Sequence, residues 1–305
     1  MFIGESAALF AALLWTVSSM LWGRVHLSAM TLNLCKNVFG LIFILGHLAV
    51  LSLVVSEPIF SAGAAAWGWL IVSGLLGILI GDAFYFRSLQ ILGPRLSLML
   101  MTMSPFFAAI LGYMFLGEGL TTLAISGIVL TVGGVFFVVL DRKAKHESPG
   151  LIPGNKTTGI TLGILGALCQ AIGGVLSRRG MVDPVSGESL CDPAEAAFIR
   201  ILVAAIGTAL MLALAGKLKE GLAKSIKKSN LKLILPATAM GTWLGIWLSQ
   251  VAFQNSNVAI AQTLLSTCPL FAIPIVVFYY KQKVTALSIA GTLIAIIGIY
   301  LVTSS

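Results

Sequence analysis

Charge is what this sequence has least of. Aspartate, glutamate, lysine and arginine make up 10% of its 305 residues, whereas a soluble domain carries about 25%. So few charges cannot cover a water-facing surface. With 58% hydrophobic residues, most of the outside must face lipid. Histidine is rarer still, and His26, His47 and His146 are too dispersed to make a metal site. The cysteines Cys35, Cys169, Cys191 and Cys268 have neither metal nor redox spacing and read as packing residues. HExxH and GxSxG are absent. Gly81–Asp82 supplies half of an intramembrane aspartyl-protease pair, but Asp141, Asp183 and Asp192 fall in loops, and that chemistry needs two carboxylates sharing a site. No enzymatic activity, cofactor or metal is expected. There is no ATP-binding motif either, so any drive must come from a gradient. The net charge of +8 does not mark a nucleic-acid partner, because the basic residues lie in short loops between apolar runs.

What is present is ten apolar runs, at about 3–23, 28–54, 67–91, 95–116, 120–140, 158–177, 194–215, 231–253, 258–279 and 285–303. Each is near the ~20 residues that cross a bilayer as a helix. The runs are continuous and do not alternate, which excludes barrel strands. The first run lacks a basic leader, carries Glu5 and continues to Trp22, so it reads as a membrane helix and not a cleaved signal. The expected fold is an all-α polytopic membrane protein with ten transmembrane helices.

Loops on one side hold 15 of the 19 basic residues: Arg24, Arg87, Arg95, those of 142–156 and 217–232, Lys281 and Lys283. The other side holds only Arg178 and Arg179. By the positive-inside rule both termini are expected outside an inner, or plasma, membrane. In the basic segment Lys217–Ser229, Leu218, Leu222 and Ile226 recur at spacing four. It reads either as an amphipathic helix lying on the anionic inner surface or as a solvated loop. Membrane lipids are the expected partners besides a small-molecule substrate, and nothing in the chain fixes the oligomeric state.

Shifted by 164 residues, the chain aligns with itself without a gap, and 13 of the 62 positions from 77 to 138 are identical. Gly77 falls on Gly241, Gly81 on Gly245, Pro105 on Pro269, Gly127 on Gly291 and Gly134 on Gly298. Upstream, Lys36 falls on Arg200, and an offset of 155 places Arg24 on Arg179. The expected domains are a five-helix repeat over 1–140, a cytoplasmic linker over 141–157 and a second five-helix repeat over 158–305. Five is odd, so the second copy enters the membrane upside down, an architecture frequent in secondary transporters. The repeated GxxxG, Gly77–Gly81 and Gly241–Gly245, reads as a helix-packing device.

The AALLWT run ending at Trp15 and Thr16, the basic Lys36 and Arg200, the MTMSPFFA and LSTCPLFA runs, and the Leu116–Glu118 LGE together resemble the drug/metabolite transporter superfamily, and within it the EamA family of ten-helix carriers. The resemblance spans nearly the whole chain. It departs from the pattern at Lys281–Gln282, where Gly–Glu would stand. It implies a carrier and does not name the cargo. The superfamily's small four-helix pumps use a glutamate on the first membrane helix; here that helix has only Glu5, so the resemblance supplies no proton-coupling residue.

A charge in the hydrocarbon core costs about 2.5–3.5 kcal/mol, so Lys36, Asp82 and Arg200 need partners or a wet cavity. At ~1.5 Å per residue, Lys36 and Asp82 come to matching depth on consecutive helices and are expected to form a structural ion pair. Asp82 falls on Ile246 at the repeat offset, and Glu195 is badly phased to reach Arg200. Arg200 is therefore expected to contact the acidic group of a substrate, for which its planar fork is suited. Trp15 and Gln170 occupy equivalent places, and Trp243, Trp247, Gln250 and Gln254 share a helical face. With Gln262, they are expected to line a central cavity, the alternative being packing. The function expected is secondary transport, in the export direction, of a small polar or amphipathic metabolite such as an amino acid or related organic solute, by alternating access. The alternative is a non-transporting membrane scaffold or receptor-like protein.

Overall fold

The computed structural model describes residues 2–54, 60–140, 154–278 and 285–304. Part of the predicted linker and the Lys281–Gln282 departure lie outside them. The described residues form ten membrane helices. These are α1 (Phe2–Trp22), α2 (Ala29–Val54), α3 (Ala64–Leu92), α4 (Pro94–Met101 and Ser104–Leu116), α5 (Thr122–Leu140), α6 (Lys156–Met181), α7 (Pro193–Leu214), α8 (Lys228–Asn255), α9 (Val258–Leu265 and Cys268–Phe278) and α10 (Ala286–Thr303). They match the ten apolar runs, in two inverted sets of five. The only pairing of extended chain among the described residues is an isolated bridge between Val182 and Ser189.

The duplication is visible in the irregularities as well as in the helices. α4 breaks after Met101 and α9 after Leu265, 164 residues apart. Each break is four residues before a proline, Pro105 or Pro269. Proline lacks the N–H that would bond to that carbonyl, and its ring collides with it. A wide π-helical stretch interrupts α3 at Gly74–Gly81 and α8 at Ala239–Leu244. The second lies within the segment that the offset of 164 makes equivalent to the first.

Both GxxxG faces pack across the two repeats. A Cβ at Gly77 would stand 3.3 Å from Gly173 Cα of α6, and one at Gly81 would stand 3.0 Å from Cys169 Cβ. On α8, a Cβ at Gly241 would stand 2.8 Å from Ser18 Cβ of α1, and one at Gly245 would stand 2.6 Å from Trp15 Cδ1. So α3 leans on α6 as α8 leans on α1, each where a missing side chain lets the neighbour come close. Gly127 and Gly134 of α5 meet Gly298 and Gly291 of α10 in the same way.

Leu218–Ser225 forms a short helix between α7 and α8. Its small face docks on α2: Ser225 Oγ is 2.7 Å from Cys35 Sγ, and Gly221 lies against Thr31. Leu222 and Ile226 stay exposed among lysines, the arrangement of a helix lying in a membrane interface.

Candidate functional site

A cavity of about 210 Å3 runs between the repeats. The cavity begins near the basic-loop end, at Trp22 of α1 and Leu89 of α3, and ends beneath Phe253 of α8 and Gln262 of α9. Its walls include both irregular places of each repeat: Ile78 and Thr242 in the π-helical stretches, and Thr102, Ser104, Ser266, Cys268 and Pro269 at the two helix breaks. Broken helices at membrane depth are tolerated where they line such a cavity. The second pieces of α4 and α9 start at this wall, and helix N-termini carry partial positive charge.

Three membrane-embedded charges share the wall. Lys36 Nζ lies 2.6 Å from Asp82 Oδ2, at the matching depth expected from the sequence. Gln170 of α6 closes the group, donating from Nε2 to Asp82 Oδ1 at 3.0 Å and to Gly77 O at 3.3 Å. The pair thus ties α2 and α3 to the second repeat while facing the cavity. Arg200 of α7 is 4% exposed. Its guanidinium reaches the α3–α6 crossing, where a Cβ on Gly77 would come within 3.0 Å of Nη2. Yet Nε is buried with no hydrogen-bond partner, and the ion pairs among the described residues do not include Arg200. Glu195 is turned elsewhere: its carboxylate accepts from the Ser61 and Ala62 N–H groups at 3.0 and 3.2 Å. The wall of the cavity thus carries a buried cation with one donor, Nε, left without a partner.

The predicted lining residues divide. Trp15, Gln170, Arg200 and Gln262 face the cavity. Trp15 also donates from Nε1 to Gly241 O at 2.8 Å, and Gln262 donates from Nε2 to Gln170 O at 3.1 Å. Trp243, Trp247 and Gln250 do not face it. Trp243 packs on Phe43 and donates to His47 Nδ1 at 3.4 Å, and Trp247 meets the His47 ring edge-on at 4.7 Å. Gln250 is fully buried and accepts from Ser177 Oγ. The reason is helical phase. The cavity stripe of α8 is Thr242, Ile246, Ser249 and Phe253, one residue before the predicted stripe. One residue turns a helix by about 100°. The residues that were missed, Trp22, Tyr85, Phe86, Thr102, Ser104 and Phe253, include two beside a break that the repeated prolines foretell.

Comparison with known proteins adds the following. The model of the EamA-like transporter family matches residues 2–140 and again 157–304. No curated protein matches the sequence. One solved protein crystal structure aligns over 99% of this chain and 96% of its own, with a TM-score of 0.72 at 13% identity; at that identity the likeness concerns the fold alone.

Proposed function

We propose that this chain, which belongs to the EamA-like transporter family and is a membrane transporter of the drug/metabolite transporter superfamily, exports a small polar or amphipathic solute bearing an acidic group, by alternating access. The observation that carries this reading is the buried side chain of Arg200, whose Nε has no hydrogen-bond partner, on the wall of a cavity between the repeats. Trp15 and Gln262 offer the same space an aromatic edge and an amide, and Lys36 and Asp82 neutralise each other beside it. A carboxylate or phosphate would satisfy the Nε donor that lacks a partner. The inverted repeat supplies two arrangements of one bundle about a fixed site.

The test is a thermal-shift screen of the purified protein against pairs of solutes differing only at the acid, carboxylate against carboxamide. A ligand stabilises the state it binds, by about 2.7 kcal/mol at a hundred times its Kd. Acids are expected to raise the melting temperature and their amides to leave it unchanged. Stabilisation by the amides alone would refute the acidic cargo. Uptake of a stabilising solute into proteoliposomes, against empty vesicles, separates a carrier from a scaffold.

The same reading fixes an orientation, with both termini outside and the basic loops in the cytoplasm. A single cysteine at Lys219, which is exposed on the Leu218–Ser225 helix, should react with an impermeant maleimide only after cells are opened. Labelling of intact cells would invert the topology.

A further inference from the structure

A second buried ion pair among the described residues lies beyond the far end of the cavity. Gly117 ends α4 in the left-handed conformation, at φ +67°, which glycine adopts without strain. The turn brings Glu118 back over the bundle. Its carboxylate pairs with Arg178 Nε of α6 and accepts from the Val258 N–H at the start of α9, at 2.8 Å. From its other arm, Arg178 Nη1 donates to Phe253 O at 2.6 Å and Gln254 O at 3.0 Å, at the end of α8. The two side chains are 10% and 19% exposed. Burial pushes the Glu118 carboxyl up, and Arg178 and the Val258 N–H draw it back down. One ion pair therefore fastens the α4–α5 connection of the first repeat to three helices of the second. It does so one layer behind Phe253, which roofs the cavity.

We propose that Glu118 and Arg178 form an ionic latch that holds the cavity shut at the end bearing the chain termini, so that the resting protein opens toward the basic loops. The duplication does not repeat this pair of charges in the sequence. The residue 164 positions after Glu118 is Gln282, and the one 155 positions before Arg178 is Gly23; neither ionises. Opening at the termini end must separate the α4–α5 connection from α6, α8 and α9, and so must break this pair. The bias is thus built into the sequence difference between the repeats.

The test uses Cys268, which lines the cavity, as the only cysteine, with Cys35, Cys169 and Cys191 replaced by serine. Impermeant maleimide is applied to cells and to inverted vesicles, so both faces are sampled whatever the orientation. With the latch intact, labelling from the termini side should be slow. In the double variant Glu118→Gln/Arg178→Gln, which removes both charges together, it should rise by about tenfold or more, the shift expected when a charge-assisted hydrogen bond is lost from one of two states. Labelling from the basic-loop side should fall or stay level. Unchanged termini-side labelling in a double variant that keeps its melting temperature would overturn the latch. Should the double variant not fold, Glu118→Gln alone, which leaves Arg178 its two carbonyl acceptors, is held to the same expected rise and the same refutation. The readout involves no cargo, so it stands or falls separately from the anion site at Arg200.

Discussion

Replacing Arg200 by glutamine is expected to abolish transport of acid-bearing solutes while making the ligand-free protein more stable. The two effects have one cause. Truncating one partner of a buried, hydrogen-bonded charge pair costs about 2–5 kcal/mol, or tens- to thousands-fold in affinity. That loss appears only when the solute is present to be the partner. Without it, Arg200 Nε is a buried donor with nothing to bond, and leaving such a group unsatisfied costs about 1–3 kcal/mol. Glutamine removes the buried charge and the idle Nε, and its shorter amide has less polar surface to satisfy. An arginine that held helices together would give the opposite sign. The check is proteoliposome uptake beside the melting temperature of the solute-free protein. Near-normal transport of an anionic solute by the variant would sink the assignment, and so would a lowered melting temperature in the absence of solute.

Asp82→Asn should act in the reverse sense, lowering stability first and transport only as far as folded protein is lost. The substitution leaves Lys36 buried without its counter-charge. Breaking a buried pair by removing one partner costs about 3–5 kcal/mol. The low end of that range is expected here, because the Asp82 side chain keeps 16% of its surface open on the cavity side. Asparagine can still accept from Gln170, so the α3–α6 contact survives. The double variant Lys36→Met/Asp82→Asn should recover most of the lost stability, since the two residues act as a unit. Melting of Asp82→Asn at the parent temperature would show that the pair does not hold the bundle. Normal melting with transport lost would place Asp82 among the residues that handle solute or coupling ion.

The ten helices and the duplication were legible because lipid leaves few choices: runs of about 20 apolar residues must be helices. The Lys36–Asp82 pair was legible from depth alone, since one charge on each of two consecutive helices at one level has few other places to go. Phase was not legible in the same way. Trp243, Trp247 and Gln250 look like a cavity stripe, yet packing against Phe43, His47 and Ser177 takes them. Both stripes of α8 carry polar residues, Thr242 and Ser249 on one and Gln250 and Gln254 on the next, so polarity does not choose between them and a shift of one residue suffices to mislead. The Glu118–Arg178 latch escaped notice because its partners are 60 residues apart and both stand at helix ends, where charge is unremarkable in sequence. The prolines were the neglected signal: Pro105 and Pro269 mark the places where backbone enters the cavity wall.

Duplication has copied the frame of this molecule more faithfully than its lining. The π-helical stretches, the proline breaks and the crossing glycines recur, but Lys36 answers to Arg200, Trp15 to Gln170 and Asp82 to Ile246. The proposed anion site depends on the copy being imperfect at one position. Ile246 is buried on the cavity wall where the first repeat carries its aspartate. An acid at that position would hand Arg200 the counter-charge that Lys36 already has, and the guanidinium would be quenched from within. Greater resemblance between the halves would thus disarm the carrier.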